Sequence, residues 1–238
     1  MRNILFFLLY VLLNPRLIPL IFKSIYVPVY VQFEWLKKFN IRTVVDVGAN
    51  RGDVTRALHF LFPKATIFAF EPIKDEAEKI KNLHSPKVVV ENLALANKTA
   101  QATLYRYSFS PSSSLLPVSS GYKKKFKGVA TSKKVNVQVI TLDDYFKNKK
   151  VEGDVFLKID TQGTEKQVLE GAQRFLSKVS VVHIEIPIEE LYQKQNSFDE
   201  VYDFLTKKGF EYKGIITESY FYPNFSLREA ENCVFVKK

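Results

Sequence analysis

The sequence is poor in the residues that build metal sites and covalent crosslinks. One cysteine, Cys233, and three histidines occur among 238 residues. A lone cysteine excludes an internal disulfide and fits a reducing compartment. So few cysteines and histidines also leave too small a ligand set for an ordinary structural zinc site. No G-x-G-x-x-G fingerprint and no internal repeat is present. Acids are in deficit, with 25 Asp and Glu against 35 Lys and Arg and a net charge of +10. That balance suits an acidic partner: nucleic acid, an anionic membrane face or a charged substrate. It equally suits a soluble domain with a lysine-rich surface.

Long uninterrupted apolar runs are missing as well. Residues 4–13, "ILFFLLYVLL", are continuous, but Asn14, Pro15 and Arg16 break the run before "LIPLIF" resumes it. A spanning helix needs about 20 apolar residues, so residues 1–31 form a segment apart. It can lie in a membrane interface, pack as a helix on the rest of the chain, or act as a signal or anchor. No A-x-A-like cleavage site follows it. A cytoplasmic protein peripheral to a membrane through residues 4–22 is the expectation this segment supports.

What is present is a regular alternation. Hydrophobic residues make up 46% of the chain, enough for a full core. "QFEWLKKF" at 32–39 has the pattern of a short amphipathic helix. "TVVDVG" reads as a buried strand, "DVTRALHFLF" as a helix, "ATIFAFEP" as a strand, "KDEAEKIKNL" as a helix and "KVVVENLAL" as a third strand. After a break, "DVFLKID" and "VSVVHIEI" read as strands four and five, with "TEKQVLEGAQRFL" as the helix between them. "SFDEVYDFLTKKG" carries a capping box, Ser197 and Glu200, and ends on Gly209. Strands alternating with helices predict an α/β fold, a mostly parallel sheet with helices on both faces. "FEYKGI" and "NCVFVKK" lack a crossover helix between them, so they should pair antiparallel. Residues 32–238 are expected to form one domain. Its Ser- and Lys-rich excursion at 108–134 is either a binding loop or a decoration.

In an open α/β sheet, ligands sit beyond the carboxyl ends of the strands. Strand one delivers Asp46, Gly48, Asn50 and Gly52 there, and strand two delivers Glu71. An acid at the end of strand two can accept both hydroxyls of a ribose. The loop itself is flanked by Asp46 and Asp53, which is poor for a pyrophosphate. A cationic nucleoside without phosphate fits better, and S-adenosylmethionine is the obvious candidate. Asn92 and Ala94 follow strand three, as part of an adenine pocket or of a plain turn. Strand four ends at Lys158 and Asp160, and strand five at His183 and Glu185.

Taken together, "VVDVGANRGDVT", "FAFEP", "ENLALAN", "VITLDDY", "LKIDTQGTEKQVLEGA" and "VVHIEI" resemble the FkbM-type methyltransferase family. The resemblance implies a class I, Rossmann-like, seven-stranded S-adenosylmethionine-dependent methyltransferase fold. It also implies methyl transfer to an oxygen, typically a hydroxyl of a sugar, glycolipid or natural product. By that resemblance Asp46 organises the donor loop and the amino-acid end of the donor. A hydroxyl acceptor needs a base as the new bond forms. Asp160 is the first candidate, with His183, Glu185 and Glu165 behind it. Glu165 also has a purely structural reason to begin a helix, since the positive end of the helix dipole favours a carboxylate there. A divalent cation held by Asp160, His183 and Glu185 is the alternative means of acidifying the acceptor.

Two other classes fit the sequence less well. An NAD-dependent oxidoreductase would need the missing glycine fingerprint and a parallel sixth strand. An RNA-directed methyltransferase or nucleic-acid-binding protein would need basic residues interleaved with aromatics. "YKKKFK" at 122–127 is the only such stretch, so no nucleic-acid partner is expected. The same lysines, as a solvated loop or as a contact for anionic lipid or glycan, accompany the apolar N-terminus.

Overall fold

The structure, a computed structural model, describes residues 11–23, 25–216 and 230–238. Elements are numbered in chain order. Helices α1 (Ile18–Phe22) and α2 (Val27–Phe33) precede the first strand, β1 (Ile41–Val47). Then come α3 (Asp53–Leu61), β2 (Thr66–Phe70), α4 (Lys74–Lys81) and β3 (Val88–Glu91). Strands β4 (Ala94–Leu95), β5 (Ala100–Tyr107) and β6 (Ser132–Ile140) follow, with the short helix α5 (Ser120–Lys125) between β5 and β6. The rest is α6 (Leu142–Tyr145), β7 (Asp154–Ile159), α7 (Glu165–Glu170), β8 (Val179–Pro187), α8 (Phe198–Lys207), β9 (Phe210–Ile215) and β10 (Ala230–Lys237).

Seven strands form one sheet in the order β3-β2-β1-β7-β8-β10-β9. The pairs from β3 through β8 are parallel, while β10 runs antiparallel to both β8 and β9. This is the class I methyltransferase arrangement, and the antiparallel closing pair is the one its missing crossover helix predicts. The chain leaves β1 towards β2 and β3, then returns on the other side of β1 as β7. Neighbouring strand ends therefore diverge between β1 and β7, the switch point where such sheets hold ligands.

Side-chain alternation along the strands divides the core. Val44, Phe156 and Val181 face Phe33, Leu36 and Leu58, from α2, the turn after it and α3. Val45, Leu157 and Val182 face the opposite way, onto Phe146, Val168, Leu169 and Leu205. Helices thus cover both faces, and both faces of the central strands are apolar, as a buried parallel sheet requires.

Three expectations are modified. "QFEWLKKF" is not one helix, because α2 ends at Phe33 and a 3-10 turn, Glu34–Lys38, carries Leu36 inward. "KVVVENLAL" is two strands. β3 stays in the main sheet, while β4 pairs parallel with β6 in a second sheet of order β4-β6-β5. Between them Asn92 donates its amide to the carbonyls of Glu71 and Pro72, both at 2.9 Å, and so fixes the bend. "TEKQVLEGAQRFL" is helical only to Glu170. A Cβ at Gly171 would lie 2.1 Å from the Ala96 carbonyl oxygen, so a close crossing of the chain ends α7 there. The capping box of α8 is present, and Gly209 takes a positive φ of 82°.

Among the described residues no helix is long and apolar enough to cross a membrane. The first part of the segment, residues 1–10, lies outside the described residues. From residue 11 onward the segment packs: Val11, Leu17, Leu20, Ile25, Val27 and Tyr30 bury against Ala57 of α3.

Candidate active site

The side of the switch point where the donor is expected is built mostly from backbone. Asp46, fully buried in β1, accepts a 2.7 Å hydrogen bond from the Thr55 hydroxyl of α3. Gly48 and Ala49 both donate to the Phe70 carbonyl at 3.0 Å, which ties the loop to the end of β2. Gly48 has φ +76°, and a Cβ there would lie 1.8 Å from the Asp160 carbonyl oxygen. Gly52 has φ +88°, and its Cβ would lie 2.9 Å from Ile80 of α4. The two glycines are therefore required by close packing inside the protein, whatever else passes over them. Asn50, itself left-handed at φ 48°, gives its N–H to Glu71 Oε2 at 2.7 Å.

Glu71 also accepts from the Ile73 N–H at 2.8 Å. Burial raises its carboxyl to about 7 in spite of these two bonds. Each carboxylate oxygen carries two lone pairs, so acceptor capacity remains for a ribose diol. Asn92 is exposed and braces Glu71 from behind. Ala94 packs with Ile73, Val137 and Val139 inside the second sheet. The structure brings Asp46, Gly48, Asn50, Gly52 and Glu71 together, and Ala94 joins them through Ile73, whose N–H donates to Glu71.

The other side, at the ends of β7 and β8, where the acceptor is expected, is built from side chains. The register aligns Asp46 with Lys158 and Lys158 with His183 across three strands. Asp160 and Glu185 follow two residues later on the same face, at the carboxyl ends of β7 and β8. The Lys158 ammonium is buried, 3.2 Å from Asp160 Oδ2, 3.5 Å from Asp46 Oδ1 and 3.3 Å from the Gly48 carbonyl oxygen. Burial alone would lower its pKa, but Asp160, Asp46 and Glu185 outweigh burial and raise it, so it is a fixed cation.

Asp160 and Glu185 are neighbours that act on each other electrostatically. Burial works against an ionised Asp160, but Lys158 prevails and holds that carboxyl below the usual range. The negative Asp160, then burial, pushes Glu185 well above it. The negative charge of the pair is therefore favoured on Asp160, and Glu185 is the member that takes up a proton first. The Asp160 side chain keeps 29% of its surface exposed, so it opens to the crevice.

Gln162 was not singled out by the sequence. Its Nε2 donates to Asp160 Oδ1 at 2.6 Å and to Glu185 Oε2 at 2.8 Å. The Tyr192 hydroxyl lies 2.8 Å from Gln162 Oε1 and 2.9 Å from the Ser112 carbonyl oxygen, and donates to one of them at a time. The signal that the sequence offered was a polar residue directly before Gly163 at the end of strand four; the structure puts Gln162 in the left-handed region there, φ +59°. Nothing in the sequence marked Tyr192.

Two other candidates land elsewhere. Glu165 is buried and accepts from the N–H groups of Thr161 and Gly163 and from the Thr161 hydroxyl, at 3.0 to 3.2 Å. It knots the loop that carries Gln162, and burial raises its carboxyl to about 7. His183 sits one row below the crevice with its ring 5.0 Å from that of Phe33. Burial, then the Lys158 charge, lowers it to about 3. Neither of its ring nitrogens has a hydrogen-bond partner. The structure does not bring it to the acceptor side. Among the described residues, no cluster of three His, Cys, Asp or Glu is placed to hold a metal ion.

The excursion roofs this site. Tyr107, Val118, Tyr122 and Val129 form one apolar cluster with Leu191 and Tyr192 from the loop after β8. Ser114 Oγ donates to the Gln162 carbonyl at 2.7 Å, and Asn50 Nδ2 donates to Ser110 Oγ at 3.3 Å. The excursion thus touches both the glycine loop and the loop after β7. Lys123 and Lys124 lie exposed on α5, and Lys125 pairs with Glu189.

Comparison with known proteins gives a consistent picture. Residues 46–212 match the family described as the methyltransferase FkbM domain. The 2-O-methyltransferase NoeI of Sinorhizobium fredii (strain NBRC 101917 / NGR234) is 24% identical over 175 residues, which are 68% of this chain and 70% of that protein. The plantazolicin methyltransferase BpumL in complex with SAH superposes with a TM-score of 0.47 at 11% identity, over 89% of this chain and 82% of its own. A precorrin-6y C5,15-methyltransferase from Geobacter metallireducens GS-15 gives 0.45 at 14% identity, over 88% and 87%.

Proposed function

The chain belongs to the FkbM methyltransferase family, an S-adenosylmethionine-dependent methyltransferase by that membership, and we propose that it methylates a hydroxyl of a sugar, glycolipid or natural product. The observation that carries the oxygen-directed reading is the Asp160–Glu185 pair. It offers one ionised carboxylate, open to the crevice and held by a buried lysine, where a hydroxyl proton must be taken. The similarity to a 2-O-methyltransferase supports a hydroxyl acceptor.

The residues fit the donor. Glu71 has spare acceptor capacity for the ribose, and Asp46 Oδ1 makes no hydrogen bond and has the Lys158 ammonium 3.5 Å away. Asp46, Gly48, Asn50, Gly52 and Glu71 would hold it. When bound, it supplies a methyl group already electrophilic on sulfonium. The chain's own work is to position and to move one proton. Asp160 accepts the proton of the acceptor hydroxyl. Lys158 keeps Asp160 ionised beforehand and stays charged throughout. Glu185, the member that takes up a proton first, neighbours Asp160, while Gln162 holds both carboxyls in place. The roof of 108–131 and 188–196 keeps water off the pair and contacts the acceptor. A cytoplasmic protein resting against an anionic membrane face is part of the same reading.

Isothermal titration tests the donor half. Wild-type protein should bind S-adenosylmethionine at one site, and Glu71→Ala should bind it about tenfold or more weakly, the worth of hydrogen bonds to a charged group. No heat with the wild type would end the proposal. Mass spectrometry of glycans and glycolipids from cells with and without the gene then identifies the acceptor, by the loss of one methylene increment.

A further inference from the structure

Exposed apolar side chains are concentrated in one place. Of the eleven large hydrophobic residues exposed among the described residues, six lie between positions 12 and 26. Leu12 is 68% exposed, Leu13 72% and Phe22 85%, and Ile18, Ile21 and Tyr26 join them. A soluble surface does not ordinarily gather large apolar groups in one stretch. The opposite side of the segment is anchored, with Leu17 and Leu20 fully buried in the cluster that contains Ala57 of α3. The apolar row is therefore held against the domain, facing outward.

Charge and continuity point to its occupant. Between residues 11 and 40 the basic side chains are Arg16, Lys23, Lys37 and Lys38, and the one acid is Glu34. Lys23 lies 4.8 Å from the centroid of the Phe60 ring, and Arg16 is well exposed. Arg16 and Lys37 both pair with Glu34, which leaves the segment with a net positive charge. Exposed apolar side chains on a net basic segment match a bilayer whose headgroups are anionic. In sequence the apolar character continues outward through residues 4–10. Pro15, Pro19 and Pro28 each sit in the first turn of a short helical element, and α1 and α2 have only five and seven residues, too short to cross a bilayer. The position matters too. The segment packs on Ala57 of α3, the helix that leaves the glycine loop. The row therefore lies on the flank of the helix that the glycine loop begins.

We propose that residues 12–26 seat on an anionic lipid surface and set the crevice beside it, so that the hydroxyl to be methylated is carried by a membrane lipid or lipid-linked glycan. The acceptor half rests on the methyltransferase reading; the docking half does not. The full-length protein should sediment with vesicles of phosphatidylcholine containing phosphatidylglycerol, and much less with phosphatidylcholine alone or at high salt. Ile21→Ser with Phe22→Ser, both at exposed positions, should weaken sedimentation about tenfold or more and leave S-adenosylmethionine binding intact. Wild-type protein that stays in solution with anionic vesicles overturns the docking half, as does a double variant that binds them equally well. A dimer in sedimentation velocity that the double variant abolishes would assign the face to a second copy instead. With labelled S-adenosylmethionine and a total membrane extract, label should enter the lipid fraction. Absence of label there, in protein that binds the donor, overturns the acceptor half.

Discussion

The two sides of the crevice are made by different means. The donor side is a continuous stretch, residues 46–52, whose shape is set by backbone hydrogen bonds to the end of β2 and by two left-handed glycines. The acceptor side gathers Lys158, Asp160, Gln162, Glu185, Tyr192 and Ser112 from four separate parts of the chain, and side chains hold it together. A backbone-built site fails all at once, when the chain cannot pass. A side-chain-built site can lose one member and keep its fold, while its proton chemistry changes. The two sides should therefore respond differently to single substitutions.

The largest effect is expected at Gly48, where both sides meet. In Gly48→Ala the left-handed φ alone costs about 1–2 kcal/mol, and the new methyl would collide with the Asp160 carbonyl. A loss of about 4 kcal/mol or more in denaturant unfolding is expected, together with loss of donor binding. Gly52→Ala should cost less, because it meets only the Ile80 side chain, which can shift. If Gly48→Ala is tolerated as well as Gly52→Ala, the close crossing of β1 and β7 is wrong.

Asp160→Asn comes next and separates the two sides. It keeps the shape but removes the base, so methyl transfer should fall about 10²–10⁴-fold while the titrated donor affinity stays close to wild type. A matching loss of donor affinity would place Asp160 on the donor side instead.

Proton linkage gives a smaller effect on both sides. Burial raises Glu71 and Glu165 to about 7, against 4.5 for an ordinary Glu. Between those values the folded protein binds more protons than the unfolded chain, so both residues make stability fall as pH rises from about 4.5 to 7. Glu71→Gln and Glu165→Gln should each flatten that fall, measured as the denaturant midpoint against pH. Only Glu71→Gln should also weaken donor binding.

Tyr192→Phe should have the smallest effect. Removing one hydroxyl costs about 1 kcal/mol and frees the Gln162 amide to turn. Methyl transfer should slow several-fold with donor affinity unchanged. Unchanged transfer would confine Tyr192 to the apolar roof.

Much of this protein was legible in its sequence because the relevant signals are local. The strand–loop–helix at 43–61, the acid after "FAF" and the capping box of α8 each depend on neighbours a few residues away. The antiparallel closing pair followed from a missing helix. Legibility failed where distant segments decide. Glu165 looked like a candidate base, and only the folded loop shows its carboxylate spent on the N–H groups of Thr161 and Gly163. His183 shares a sheet face with Glu185, as alternation predicts, yet Phe33 from a preceding helix encloses it. "KVVVENLAL" reads as one strand because β propensity does not record which sheet a strand joins.

By itself, then, the sequence determined the parallel core, the glycine loop, the acid that faces it and the family motifs, since all of these lie within single strand–loop–helix units. Tertiary structure alone decided that Lys158 sits beside Asp160, that Asp160 and Glu185 face one Gln162 amide, and that Gln162 and Tyr192 tie them to the excursion above. Those relations join residues as far apart as 46 and 192. Only the register of β1, β7 and β8 and the packing of the roof bring them within hydrogen-bonding distance.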